Sequence, residues 1–181
     1  MAIRTALAEM ENYILQFPEN MVEAIDIGTK AIENFKPAEV ESVVIAGLGG
    51  SGIGGKIVSQ LVWDKCTVPI SLVNDYRIPS WVNEHTLFVA TSYSGNTEET
   101  LSALGEAIQN NARIAAITAG GKLNLLCRER KLNCIEIPSG QPPRTSLGYN
   151  SIQQFFVLQA YGLIDGYFIE ELREAAGLLK E

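Results

Sequence analysis

Short, mostly apolar runs alternate along this chain with stretches in which apolar residues recur every three or four positions. The runs fall at Ser42–Ala46, Val68–Val73, Thr86–Ala90, Ile114–Thr118 and Cys134–Ile137. A strand with one face in water alternates apolar and polar residues. These do not, so they are expected to be strands buried on both faces. Helical spacing marks Gly54–Trp63, Glu98–Asn110 and Leu123–Lys131 between them, while Asn74 to His85, with Pro79 and a polar run, reads as a loop. Ahead of the first strand, Leu7, Met10, Ile14 and Leu15 keep helical spacing until Pro18 stops them. Asn20 is then placed to cap a second helix, with Met21, Val22, Ala24, Ile25 and Ile32 on its apolar face and its end before Pro37. The tail reads as two helices, Tyr149–Ile164 and Tyr167–Leu179, with Gly166 between them.

Two helices followed by five β–α steps predict an α/β doubly wound sandwich around a five-stranded parallel sheet. Residues 1–181 are expected to form one domain, without internal repeat, low-complexity tract or linker. Right-handed crossovers put every loop that follows a strand on one edge of the sheet, where ligands of such folds bind. The loops at 47–55 and 91–97 therefore share an edge.

Charge narrows the ligand. The net charge is -7 and the sequence pI near 4.8, with no basic run. That argues against nucleic acid, whose phosphates are met by clustered Lys and Arg. A phosphate held by this protein must instead rely on N–H groups, hydroxyls and one or two cations. Cys66, Cys127 and Cys134 lack CxxC spacing and sit in apolar surroundings, as reduced thiols of a cytoplasmic protein would. Residues 1–14 carry Glu9 and Glu11 and do not read as a signal peptide, and no apolar stretch reaches membrane-spanning length. No His/Cys/Asp cluster has metal-ligand spacing, so neither metal nor cofactor is expected.

Two loops carry chemistry. In the first, Gly47-Leu48-Gly49-Gly50-Ser51-Gly52 satisfies G-x-G-x-x-G between a strand and a helix, and Asp75 follows at the distance of a ribose-binding acid. A dinucleotide fold is thus one reading. The same stretch nearly matches a P-loop through Gly50 and Gly55-Lys56, but Ile57 stands where Ser or Thr must hold magnesium. In the second, Ser92-Tyr93-Ser94-Gly95-Asn96-Thr97 offers three short hydroxyls around one glycine at a helix start, with Asn96 and Glu99 at capping-box spacing. An ordinary cap uses one hydroxyl. A tetrahedral anion at the positive end of a helix uses three or four, and Ser92, Ser94 and Thr97 supply them.

A third segment, Gly140-Gln141-Pro142-Pro143-Arg144-Thr145-Ser146, stiffens the backbone just before an arginine and then offers Thr and Ser as helix caps. Arg144 reads as a functional charge beside the two loops, against the plainer reading of a surface arginine in a turn. His85 is the single histidine. It begins a strand, at the opposite edge, and reads as a solvated turn residue.

Together GLGGSGIGG, SYSGNTEET and PPRTSLGY resemble the sugar isomerase (SIS) domain, and most of all the bifunctional phosphoglucose/phosphomannose isomerases. The resemblance implies a flavodoxin-like αβα sandwich that binds a phosphorylated hexose. Ser92, Ser94 and Thr97 would grip the phosphate, Gly50 and Ser51 would line the sugar site, and Arg144 would stabilise an enediolate. Members of that family are about twice as long, with two SIS domains. The glutamate that shuttles the proton and the histidine that helps open the ring lie in the second half, and no residue here matches them. The resemblance therefore implies an N-terminal domain that binds without turnover, whose partner is the missing C-terminal SIS domain. Leu172, Ala176 and Leu179 share a helix face that would suit such a neighbour, and a homodimer is expected. Three alternatives stand beside this reading. They are a stand-alone sugar-phosphate isomerase of the hexulose-phosphate or phosphoheptose type, a non-catalytic sugar-phosphate sensor, and the dinucleotide-binding domain.

Overall fold

The computed structural model describes residues 10–180. Residues 10–15 are helical and Gln16 then opens helix α1, Phe17–Ile32, with Pro18 in its first turn. Leu7, the first residue of the expected opening helix, lies outside the described residues. Asn20 is not a cap: it is buried inside α1, where its side-chain oxygen accepts the Tyr149 hydroxyl at 3.1 Å. Proline tolerates a helix's first turn because that turn's N–H groups have no partner anyway, so Pro18 starts α1 as readily as it stops the preceding turn.

The elements that follow are β1 (Ser42–Ala46), α2 (Gly50–Leu61), β2 (Ile70–Val73), β3 (Thr86–Thr91), α3 (Glu98–Gln109), β4 (Arg113–Thr118), α4 (Gly121–Arg130), β5 (Asn133–Glu136), α5 (Leu147–Ala160) and α6 (Phe168–Leu178). The five strands are all parallel, in the order β2-β1-β3-β4-β5. This is the flavodoxin-like order. β2 starts two residues later than its apolar run because Pro69 has no N–H and can only accept, here from Val43 at 2.9 Å. α5 stops at Ala160 rather than Ile164. Gly162, at φ 68°, turns the chain, and Leu163 N–H bonds back to Leu158 O at 3.0 Å in a Schellman closure.

Alternate residues of each strand feed two cores. Val43, Ile45, Leu87, Val89, Ile117 and Ile135 pack beneath α1, α2, α5 and α6 with Ile25, Phe156 and Phe168. Val44, Ala46, Phe88, Ala90 and Ala116 pack beneath α3 and α4 with Leu104, Leu123 and Cys127. Covering both faces is what the apolar runs require. α1 crosses α5 closely because Gly28 leaves room for the Phe156 ring, which any Cβ there would strike. The C-terminal helix corrects one expectation. Ala176 is buried and Leu172 packs on this domain's own core, so of that face Leu179 stays exposed, beside Leu178. No helix among the described residues is long and apolar enough to cross a membrane.

Candidate functional site

β1 and β3 are neighbours, yet the chain leaves β1 toward one face of the sheet and β3 toward the other. The loops diverge there and leave a crevice at the topological switch point. Both predicted loops border it. They touch at their roots: a Cβ on Gly47 would lie 3.1 Å from the Thr91 carbonyl, a close approach that glycine makes without crowding.

The glycine loop folds differently from its periodicity. α2 begins at Gly50 rather than Gly54, and Gly49 makes the turn at φ 56°. Ser51 is therefore buried in the first turn of a helix whose N-terminal cap carries no side-chain hydrogen bond. Four glycines in six residues gave no apolar rhythm to follow, and glycine is a poor helix former. Their use is close packing. A Cβ on Gly54 would lie 2.9 Å from Ser151 Oγ, and one on Gly55 2.9 Å from Ile45 Cγ2, so α2 sits unusually close to both α5 and β1.

The hydroxyl loop is built around Ser92. Its side chain is buried, accepts Gly95 N–H at 3.1 Å and shares a 2.8 Å hydrogen bond with the hydroxyl of Thr97. Ser94 is exposed, and its hydroxyl accepts only Asn96 N–H, at 3.2 Å. Thr97 is the residue before α3, but its hydroxyl faces Ser92 and makes no cap bond. The first-turn N–H groups of α3 are thus left without a capping side chain, at the positive end of the helix. The capping box expected at Asn96 and Glu99 does not form. Asn96 reaches across instead, its side-chain oxygen accepting Lys122 N–H at 3.1 Å, and so caps the neighbouring helix α4.

That contact exposes a support that sequence reasoning passed over. The turn Thr118–Gly121 after β4 carries the hydroxyl loop: Ala119 N–H donates to Tyr93 O at 3.0 Å and Leu123 N–H to Gly95 O at 2.9 Å. Gly95 holds φ 67°, and any Cβ there would strike the Gly120 carbonyl. The dipeptide Gly120-Gly121 was the available signal, since Gly121 also has positive φ and lies against the Ser94 carbonyl.

The third segment reaches the same edge by its backbone. A Cβ on Gly50 would lie 3.5 Å from the Pro143 carbonyl, which places the proline turn over the start of α2. Arg144 is exposed and lines an 820 Å³ cleft together with Tyr13, Phe17, Leu147 and Leu179. It takes no part in the ion pairs found among the described residues. Arg144 borders this cleft, while the carbonyl of the preceding Pro143 lies beside the start of α2. Ser146 corrects another expectation. It stands at the cap position of α5, but its hydroxyl accepts no main-chain N–H of the helix; it donates to Pro143 O at 2.7 Å and accepts the Asn150 side-chain amide at 3.0 Å.

The remaining candidates separate cleanly. His85 is exposed at the opposite edge, 3.9 Å from Glu84, and its carbonyl accepts Glu41 N–H. Asp75 is exposed and accepts the neighbouring Tyr76 N–H at 2.6 Å. The neighbouring Cys127 thiol, together with burial, pushes the Cys134 thiol well above the ordinary range. No group of three His, Cys, Asp or Glu among the described residues could hold a metal ion.

A parallel 2-1-3-4-5 sheet with a glycine loop and a hydroxyl loop meeting at its switch point defines a phosphosugar isomerase (SIS) domain. The same fold is seen in a phosphosugar-isomerase-like protein of Clostridium difficile, with a TM-score of 0.70 at 18% identity, over 93% of this chain and 51% of that one. No family model matches the chain. Among curated proteins it is 43% identical to a bifunctional phosphoglucose/phosphomannose isomerase of Caldicellulosiruptor bescii, over 84% of this chain and 45% of that protein. It is 45% identical to the protein of the same name in Thermoplasma volcanium, over 75% of this chain and 42% of that protein. The chain belongs to the bifunctional phosphoglucose/phosphomannose isomerase family, and it spans less than half the length of these relatives.

Proposed function

We propose that this chain is the sugar-phosphate-binding half of an aldose–ketose isomerase that interconverts glucose 6-phosphate or mannose 6-phosphate with fructose 6-phosphate. One observation carries the reading: an uncapped helix start, α3, follows a loop in which the Ser94 hydroxyl is exposed and those of Ser92 and Thr97 are bonded to each other rather than to the helix. Ser94 and Thr97 present their oxygens to the anion, and buried Ser92 holds the loop in shape. The phosphate lies on the first-turn N–H groups of α3, where the helix dipole favours negative charge. Gly50 and Ser51, on the other lip of the crevice, border the sugar.

Isomerisation moves a proton between C1 and C2 through an enediolate. This chain contributes the anchor that fixes the sugar and, in Arg144, a cation that stabilises the developing negative charge. For that role the exposed Arg144 side chain reaches over the crevice. The general base must stand within hydrogen-bond reach of the reacting carbon. His85 is at the far edge, and Glu98 and Glu99 stand in the first turn of α3. The base and the ring-opening acid are therefore assigned to the remaining half of a full-length relative, and this chain alone binds without turnover. Its working partner is that second SIS domain, with a second copy of the whole protein completing a homodimer in the cytoplasm.

The test is a calorimetric titration of the chain with fructose 6-phosphate, beside plain fructose and NADH. Saturable binding of the phosphorylated sugar alone is the expected result. Binding of NADH with silence from the sugar phosphate would overturn the reading in favour of a dinucleotide site.

A further inference from the structure

Tyr93 lies between two of the hydroxyls assigned to the phosphate, and its side chain leaves the loop entirely. The ring packs half-buried on the larger core, and the residue's own carbonyl is held by Ala119 N–H at 3.0 Å. Its hydroxyl accepts Gln141 N–H at 2.9 Å, a bond that spans 48 positions of sequence and joins the hydroxyl loop to the proline turn. Gln141 is a telling partner. Pro142 and Pro143 have no N–H, so between Gly140 and Arg144 the Gln141 amide is the only main-chain donor available for an anchor. Gly140, at φ 92°, bends the chain just ahead of it.

The other end of the turn is tied down separately. Thr145 N–H and the Thr145 hydroxyl both donate to Pro142 O, at 3.0 and 2.8 Å, and Ser146 Oγ donates to Pro143 O at 2.7 Å. Arg144 thus sits on a short stiff bridge with one foot on α5 and the other on Tyr93. A phenylalanine would fill the same space in the core. What the hydroxyl adds is the single bond to Gln141.

We propose that Tyr93 is the positioning residue for Arg144: by accepting Gln141 N–H it fixes the spacing between the arginine turn and the phosphate loop. The inference rests on the sugar-phosphate reading above. It predicts that the hydroxyl matters for a ligand that spans both elements and not for one that fills the phosphate loop alone.

The test uses the whole chain and Tyr93→Phe. Both are titrated with inorganic phosphate and with fructose 6-phosphate, and amide hydrogen exchange is followed at Gln141 and Arg144 without ligand. The variant should keep its affinity for inorganic phosphate and lose about threefold to tenfold for fructose 6-phosphate, the range of one neutral hydrogen bond. Exchange at Gln141 should be slow in the wild type and at least about tenfold faster in the variant, as expected for loss of a bond of about 1.4 kcal/mol. Equal loss for both ligands, or an unchanged Gln141 amide, would overturn the proposal. Should the wild type bind neither ligand, the phosphate site itself falls, and the exchange rates at Gln141 and Arg144 alone decide whether Tyr93 holds the turn.

Discussion

The hydroxyls of Ser92 and Thr97 stand 2.8 Å apart, closing the loop between β3 and α3 across five positions. Ser92 is buried and also accepts Gly95 N–H, whereas Ser94, two residues on, is exposed and makes one long contact. Two serines of similar appearance in sequence therefore have different work. Ser94→Ala should weaken sugar-phosphate binding by about 1.5–3 kcal/mol, the range for a hydrogen bond to a charged group, with little change in Tm. Ser92→Ala should lower both, because it removes the buried hydroxyl that joins Gly95 N–H to Thr97, leaving the Gly95 amide only the Ser92 carbonyl and freeing Thr97. Calorimetry paired with thermal denaturation separates the two effects. His85→Ala, at the far edge, should alter neither.

Asn96 caps a helix other than its own. Replacing it with alanine should destabilise the domain by about 1 kcal/mol through the lost bond to Lys122 N–H. Asn96→Asp keeps an acceptor oxygen and should recover most of the loss. Equal melting temperatures for Asn96→Ala and the wild type would show that α4 does not depend on this contact.

Gly95 holds the loop in the left-handed region against the Gly120 carbonyl. Gly95→Ala combines backbone strain with a steric clash and should cost about 2–4 kcal/mol. Denaturant titration measures it. Gly105, which has open space at its Cβ position, is the control, and alanine there should be neutral or stabilising.

Tyr149 ties α5 to α1 through bonds to Glu23 at 2.5 Å and Asn20 at 3.1 Å. Burial, then its bond to the Glu23 carboxylate, raises the phenol above the ordinary tyrosine range. The folded state holds the proton more tightly than the unfolded one. Its contribution to stability is therefore complete below the unfolded pKa of about 10 and declines as pH rises beyond it. Denaturation midpoints measured from pH 8 to 11 should fall above about pH 10 in the wild type and less steeply in Tyr149→Phe. That variant should also be less stable at neutral pH by about 2 kcal/mol, for loss of a charge-assisted bond.

The central strands β1, β3 and β4 were legible because burial on both faces leaves apolar runs, while the edge strands β2 and β5 are partly exposed and carry Ser71 and Glu136. In all five the short length between turn residues, rather than the period, argued against a helix. The start of α2 was not legible. Gly50 to Gly55 carries little side-chain pattern, and its helical form follows from the close approach of Ser151 and Ile45. Asn96 was read as a local cap since spacing along the chain cannot report that Lys122 lies nearer in space. The helix face at Leu172 and Ala176 was visible, but not that it packs on the same domain, with α6 lying against α1.

Sequence alone determined the five strands, their parallel arrangement and the common edge of the two loops, because periodicity, chain length between strands and crossover handedness are local or universal constraints. It also supplied the family, through residues clustered in three short segments. Tertiary structure decided which hydroxyl is buried and which exposed, which helix Asn96 caps, and that Tyr93 grips the arginine turn. Each of these depends on distances between segments tens of residues apart. Such distances are set only when the two cores close on the sheet and bring those segments together.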